Sequence, residues 1–296
     1  MGNLGSAYAD LGEVRLAIEY YETALEVARE IGDCRGEGNR LGNLGSAYID
    51  LGEVRRAIEY YETALEIARE IGDRRGQGDW LGGLGLSYTY LGEVRRAIEY
   101  YEAALEIARE IGDRSGEGTR LGNLGLAYAD LGEVRQAIEY YEQALEIDRE
   151  IGARRGEGVW LDNLGNAYAD LGEVQRAIEY YDAALEIARG IRDRHNEGNW
   201  LGGLGNAYAD LGEVWRAIEY YETALEVARE IGHRCNEGIW LDNLGLLAEE
   251  QGDLARARKL WEQALRIFED IEDPYAERVR DWLAALEEGD ADFGTG

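Results

Sequence analysis

"LGNLGSAYIDLGEVRRAIEYYETALEIAREIGDRRGQGDW", Leu41 to Trp80, decides the fold, because near copies of it begin at Leu81, Leu121, Leu161 and Leu201 almost without gaps. A partial copy starts at Met1, and a diverged one starts at Leu241 and runs through "LDNLGLLAEEQGDLARARKLWEQALRIFEDIED". Repetition at this period marks a solenoid, in which each unit covers its apolar faces by stacking on its neighbours. A length of 296 residues would otherwise suggest two compact domains. The repeat overrides that expectation and gives seven units over residues 1–271.

Each unit carries two helical patterns. In the first, Leu41, Leu44, Gly45 and Tyr48 recur at helical spacing, and Gly52 can adopt the left-handed conformation that closes a helix. The preceding stretch, "GDCRGEGNR", starts that helix. In the second pattern Val54, Ala57, Ile58, Tyr61, Ala64, Leu65 and Ala68 form one broad apolar stripe that stops at Gly72. Glu53 and Arg69 sit at the ends where their charges oppose the macrodipole. Tyr60 and Ile67 flank the stripe, so a lone hairpin leaves apolar surface that its neighbours cover.

Composition narrows the function. A chain with 45% hydrophobic residues has material for a core, and a single proline, Pro274, leaves helices uninterrupted. The net charge is -30, from 61 acidic and 31 basic residues, and Lys259 is the one lysine. That field repels phosphate backbones and anionic lipid, which argues against nucleic-acid and membrane-surface binding. It attracts a basic partner or is a solvated surface. No apolar run is long enough to span a bilayer, and "MGNLGSAYAD" lacks the features of a signal peptide. Cys34 and Cys235 show no disulfide framework, so a reducing cytoplasm is the expected setting.

The pattern Leu41-x2-Leu44-Gly45-x2-Tyr48, followed by Ala57-x3-Tyr61 and Ala64, resembles the tetratricopeptide repeat, with leucine for its leading tryptophan and tyrosine for its phenylalanine. The units lack the closing proline of that repeat and are longer, which places about a turn and a half of extra helix in the second pattern. The resemblance is to the long-repeat branch of kinesin light chains, Pins-type adaptors and the sensor regions of bacterial STAND signalling ATPases. It implies an all-α, right-handed superhelical α-solenoid of seven helical hairpins. It also implies a non-enzymatic scaffold that binds a protein or peptide on the concave face formed by the first helices.

Residues for catalysis or cofactor binding are not assembled in the sequence. His195 and His233 fall in the turns between units, and "HRC" at His233 to Cys235 offers two metal ligands where a closed zinc site wants four. No metal and no cofactor are expected. The glycines of "WLGGLGLSY", Trp80 to Tyr88, do not form a phosphate loop, because the lysine of that motif is missing and no strand precedes them.

Helical glycine is costly, so these glycines need a structural reason. Gly45, Gly85, Gly125, Gly165, Gly205 and Gly245 share the stripe of Leu41 and Tyr48 and are expected to let the partner helix approach. Gly42, Gly82, Gly122 and Gly202, with Asp162 and Asp242 as exceptions, lie on the other face. In the family this face lines the groove, and two readings of these glycines stand: they lower the groove wall for a ligand, or they relieve crowding between first helices.

The candidate groove residues are Asn43, Ser46 and Asp50 in the second unit; Gly82, Gly83, Leu86 and Tyr90 in the third; and Asn123, Leu126 and Asp130 in the fourth. The fifth adds Asp162, Asn163, Asn166 and Asp170, the sixth Asn206 and Asp210, and the seventh Asn243. The apolar patch at Leu86, Tyr90 and Leu126 beside acidic and amide positions suggests a ligand with an apolar anchor followed by basic or polar residues. The aspartates at helix C-termini point to a cationic partner or are neutralised by pairs such as Arg55 and Arg56. Trp80, Trp160, Trp200 and Trp240 share one position, read as packing between units or as an exposed ladder.

At the ends, the first unit lacks the counterpart of "GDCRGEGNR", which is expected of a fragment of a longer protein or of an edge that meets another subunit. Two alternative roles follow: the sensor arm of a STAND-type ATPase, or a module that self-associates end to end. Asp273 and Pro274 open a capping helix over 272–288, with Val279, Trp282, Leu283 and Leu286 on one face. Residues 289–296 are expected to be disordered.

Overall fold

The computed structural model describes residues 2–293, with the side chains of 2, 3, 10 and 287–293 left aside. Among the described residues there are fifteen helices and no strand. The chain divides into two compact units, 1–152 and 153–296, where the repeat alone implies one uninterrupted stack.

The first unit holds α1 (Gly2–Asp10), α2 (Val14–Ile31), α3 (Cys34–Asp50), α4 (Val54–Glu70), α5 (Arg74–Tyr90), α6 (Val94–Ile111), α7 (Arg114–Asp130) and α8 (Val134–Ile151). The second holds α9 (Arg154–Asp170), α10 (Val174–Ile191), α11 (Arg194–Asp210), α12 (Val214–Ile231), α13 (Arg234–Glu250), α14 (Leu254–Asp270) and α15 (Tyr275–Phe293). Odd-numbered helices up to α13 are the first helices of hairpins, and even-numbered ones are the second. Within each unit every hairpin packs on the next.

Local chemistry sets the helix ends. Asp33, Asp73 and Asp113 accept the backbone N–H of Gly36, Gly76 and Gly116, so each caps a first helix seven or more residues before its apolar pattern begins. The extra length of the repeat is therefore shared. First helices such as α5 have 17 residues and second helices 17 or 18, whereas the family resemblance placed the excess in the second. Gly52 and Gly72 have φ of 77° and 70° and close their helices as expected. Arg192 holds the same left-handed conformation with a side chain, at φ 59°.

The core of each hairpin up to α12 is a tyrosine inserted against a glycine, and in α13–α14 Trp261 takes that place against Gly245. A Cβ on Gly45 would collide with the ring of Tyr61, and Gly85 stands in the same relation to Tyr101 and Gly165 to Tyr181. That glycine column admits the partner helix. At the far end, α15 begins where Asp273 accepts the N–H of Tyr275, and it buries Val279 and Leu286. Trp282 meets Trp261 edge-on at 5.1 Å. The helix runs to Phe293, past the boundary at 288 and into the stretch read as disordered; residues 294–296 lie outside the described residues.

Candidate functional site

Within each unit successive first helices touch, α3 with α5 and α9 with α11. Their outward residues recur at spacings of four, three and four, so adjacent helices align them in rows. In the first unit one row is Ser46, Leu86 and Leu126, and the next is Asp50, Tyr90 and Asp130. All six are exposed. Leu86 is 39% exposed, Tyr90 63% and Leu126 42%, so an apolar patch lies between two carboxylates. Tyr90 also edges an open cavity of about 540 Å³ whose other walls include Arg55, Arg56 and the turn at Gly52. Asn43, Gly83 and Asn123 form a half-buried row above. Asn39, Asp79 and Thr119 are exposed one turn further up the same face; the sequence reading missed them, although they stand four residues before the asparagine row.

The floor of this face comes from the second helices. Tyr61 reaches between Gly45 of its own hairpin and Gly83 of the next, and its hydroxyl lies 2.9 Å from Ser46 Oγ. Burial raises its pKa, so it stays a neutral hydrogen-bonding group. Gly83 thus seats the preceding hairpin's tyrosine and leaves no opening in the wall. Tyr101 has Leu86 where Tyr61 has Ser46, and its hydroxyl turns to Thr89 Oγ1 at 3.2 Å.

The Gly42 column is a socket. Trp80 lies across Gly42, Arg120 across Gly82 and Trp240 across Gly202, in each case from the first helix of the next hairpin. Gly42, Gly82 and Gly202 are buried and do not line an open groove, which corrects the wall-lowering reading and favours the crowding one. Trp240 is buried in its socket and Trp80 is half-buried in its own, while Trp200, which meets Asp162 where the others meet glycine, is buried across Gly158. This tryptophan position therefore packs hairpin on hairpin.

In the second unit the corresponding face is polar. Asn166, Asp170, Asn206 and Asp210 are exposed, and Asn163 and Asn243 are half-buried. Asn163 spends its amide on the carbonyl of Val159, one turn back. Tyr181 donates to Asn166 Oδ1 at 2.8 Å and Tyr221 to Asn206 Oδ1 at 2.7 Å. Each asparagine is thereby fixed with its amino group turned away from the tyrosine. For Asn166 that amino group meets Asp162, which also accepts from Trp200; burial pushes the Asp162 carboxyl up to about 6. Gly202 offers Asn206 no such carboxylate. Asp242, at the same position in α13, is fully buried and is paired with Arg278 of α15.

His195 and His233 are closer than the sequence indicated. His195 lies in the first turn of α11, His233 caps α13 by accepting the N–H of Asn236, and their rings are 5.1 Å apart. Among the described residues no three His, Cys, Asp or Glu side chains gather as a metal site, and no helix is long and apolar enough to cross a membrane.

Sequence comparison matches this arrangement of hairpins to the family described as tetratricopeptide repeat, over residues 1–70, 77–150, 158–230 and 216–270. The chain belongs to the tetratricopeptide repeat family. A second description of the same repeat covers 43–110 and 123–190. No curated protein matches in sequence.

Solved tetratricopeptide-type structures share the fold at low identity. BtubC (BKLC) from P. vanneervenii is 23% identical, with a TM-score of 0.68 over 74% of this chain and 92% of that one. A STAND protein with a tetratricopeptide repeat sensor from Pyrococcus horikoshii is 22% identical, with a TM-score of 0.79 over 95% of this chain and 43% of that one. A Rap protein complexed with competence and sporulation factor is 18% identical, with a TM-score of 0.61 over 87% and 76%. Tetratricopeptide solenoids are typically protein-interaction scaffolds without catalysis.

Proposed function

We propose that the first-helix face of the first unit binds a protein segment, seating an apolar side chain against Leu86, Tyr90 and Leu126 while basic residues of the segment meet Asp50 and Asp130. The observation that carries this reading is the replacement, in two adjacent hairpins, of the polar residues seen at Ser46 and Asn166 by exposed leucines, with Tyr90 beside them in place of aspartate. Exposed apolar side chains grouped inside a polar rim mark an interaction site. On the second unit, Asn166, Asn206, Asp170 and Asp210 favour polar or cationic stretches of a ligand, with Asp162 and Asn163 behind them. The role is binding and not catalysis.

Selecting short random peptides on the whole protein tests this. Enriched sequences are expected to pair an apolar residue with arginine or lysine, and to lose at least about tenfold in affinity for the Leu86→Ser/Tyr90→Ser double variant. Peptides that bind that variant as well as the wild type, with its helical melt unchanged, overturn the assignment.

The likeness to the Pyrococcus horikoshii sensor supports a second reading, in which the same face serves as the recognition arm of a larger signalling ATPase. The reading frame upstream of Met1 decides it.

A further inference from the structure

Each hairpin up to α12 stacks a tyrosine of its first helix on one of its second, as in Tyr48 on Tyr60 with ring centres 5.3 Å apart. Three of these pairs are roofed by an arginine from the start of the second helix. The guanidinium carbon lies 4.0 Å from the Tyr48 ring for Arg56, 4.1 Å from Tyr88 for Arg96 and 3.8 Å from Tyr168 for Arg176. Arg56 and Arg176 also donate to the hydroxyl of the tyrosine they cover. Tyr48, Tyr88 and Tyr168 are buried under these roofs.

Three of the six hairpins break the pattern. In α2 the roofing position holds Leu16, and no second helix precedes it among the described residues. The other two fall one in each unit. In α8 the roofing residue is Gln136. In α12 it is Arg216, which stands 5.1 Å from Tyr208 because it is drawn to Trp215, at 5.0 Å. Trp215 is itself a departure, since Arg55, Arg95, Arg135 and Gln175 hold that position in the preceding hairpins, and it is 63% exposed. Tyr128 and Tyr208 are only half-buried. On the second-helix side a cavity opens against Tyr140, the ring stacked on Tyr128, and another opens against Tyr208 itself. The cavity in the first unit measures about 430 Å³ and that in the second about 380 Å³, and most of the first lining recurs at equivalent repeat positions in the second, where Leu201, Tyr208 and Trp215 are added.

The charges that face these cavities favour a cation. In the second unit Arg189 is paired with Glu197 and Arg216 with Glu213, leaving Asp182 and Glu219 on the lining without an ion pair among the described residues. Asp182 is also one methylene shorter than the glutamate of its siblings. In the first unit Arg109 is paired with Glu117, and Glu102, Glu106 and Glu139 line the cavity. Aromatic faces next to unpaired carboxylates attract a planar cation, and arginine is the side chain that stacks on tyrosine while donating to oxygen.

We propose that these two pockets, one in each unit, each accept an arginine side chain of a partner protein, whose guanidinium takes the place that Arg56, Arg96 and Arg176 fill from within. This second-helix surface is separate from the first-helix face and gives the chain another point of attachment to a basic partner.

Titrating the full-length ¹⁵N-labelled protein with N-acetyl-arginine methylamide tests it by NMR, read at the side-chain amide of Gln143 and the backbone amides of Glu219 and Thr223. Saturable shifts are expected at both pockets, at least roughly tenfold weaker with the neutral isostere N-acetyl-citrulline methylamide, as a cation–π site requires. Gln136→Arg should erase the response at Gln143 alone, and Trp215→Arg the response at Glu219 and Thr223 alone. Both variants restore a residue that sibling hairpins already carry, so the fold tolerates them. Absent or non-saturating shifts, an equal response to the citrulline probe, or shifts that persist in the restored variants overturn the proposal.

Discussion

Trp80 lies across Gly42 of the preceding hairpin so closely that a Cβ on the glycine would collide with the indole ring. The same relation joins Trp240 to Gly202. Hairpins therefore interlock through a large residue from one first helix and the missing side chain of another, and the helical cost of that glycine is offset by the buried aromatic surface.

Gly42→Ala sets two effects against each other. Alanine gains about 1 kcal/mol of helix propensity, but forcing Trp80 out of its seat costs about 1–3 kcal/mol. Net destabilisation is expected, seen as a lower urea midpoint. Gly190 is the matched control: it is also helical, but a Cβ there meets nothing within 4 Å. Gly190→Ala should raise the midpoint, by about 0.5 kcal/mol of stability near a helix end. If both variants move the midpoint the same way, socket packing is not what retains Gly42.

Much of this was legible in the sequence, and the exceptions have one physical cause. Gly45 reads from sequence alone as facing the partner helix, because Leu41, Leu44 and Tyr48 share its stripe and define the hairpin. Gly42 points away from that stripe, and a small residue facing outward reads equally as an open wall or as a filled socket. Its partner Trp80 is 38 residues away, and only the crossing of consecutive first helices brings them together. The same limit hid Tyr61 beneath Gly83, the pairing of His195 with His233 and the aspartate caps that lengthen the first helices. Exposure at Ser46, Leu86, Leu126 and Asn206 needed no such crossing, since these residues are turned from every apolar stripe of their own hairpin.

Arg120 occupies the Gly82 socket where other hairpins insert tryptophan. It is 15% exposed, with Asp79 at 3.6 Å, and burial lowers its pKa, so its charge is held at a desolvation cost. Arg120→Trp should fit the same socket and stabilise the protein by about 1 kcal/mol, because it removes a desolvated guanidinium and buries apolar surface while Asp79, 53% exposed, keeps its water. Thermal melts at fixed pH would measure it. A fall in melting temperature would mean that the Gly82 socket differs in shape from that of Gly42.

Asp162 supplies a test with a definite pH window. Burial pushes its carboxyl up to about 6 in the folded chain, against 3.8 for the ordinary group, and the bonds from Trp200 and Asn166 offset that only in part. Between those values the folded state binds more protons than the unfolded one, so stability falls as pH rises from about 4 to 6 and stays low above that. A shift of this size corresponds to about 3 kcal/mol at most. Asp162→Asn keeps an oxygen for the Trp200 indole and has no proton to lose. The variant should therefore match or trail the wild type near pH 4 and exceed it progressively up to pH 7. Urea midpoints for both proteins across that range would show the difference opening between pH 4 and 6; a constant offset would place the Asp162 carboxylate in water instead of against Trp200.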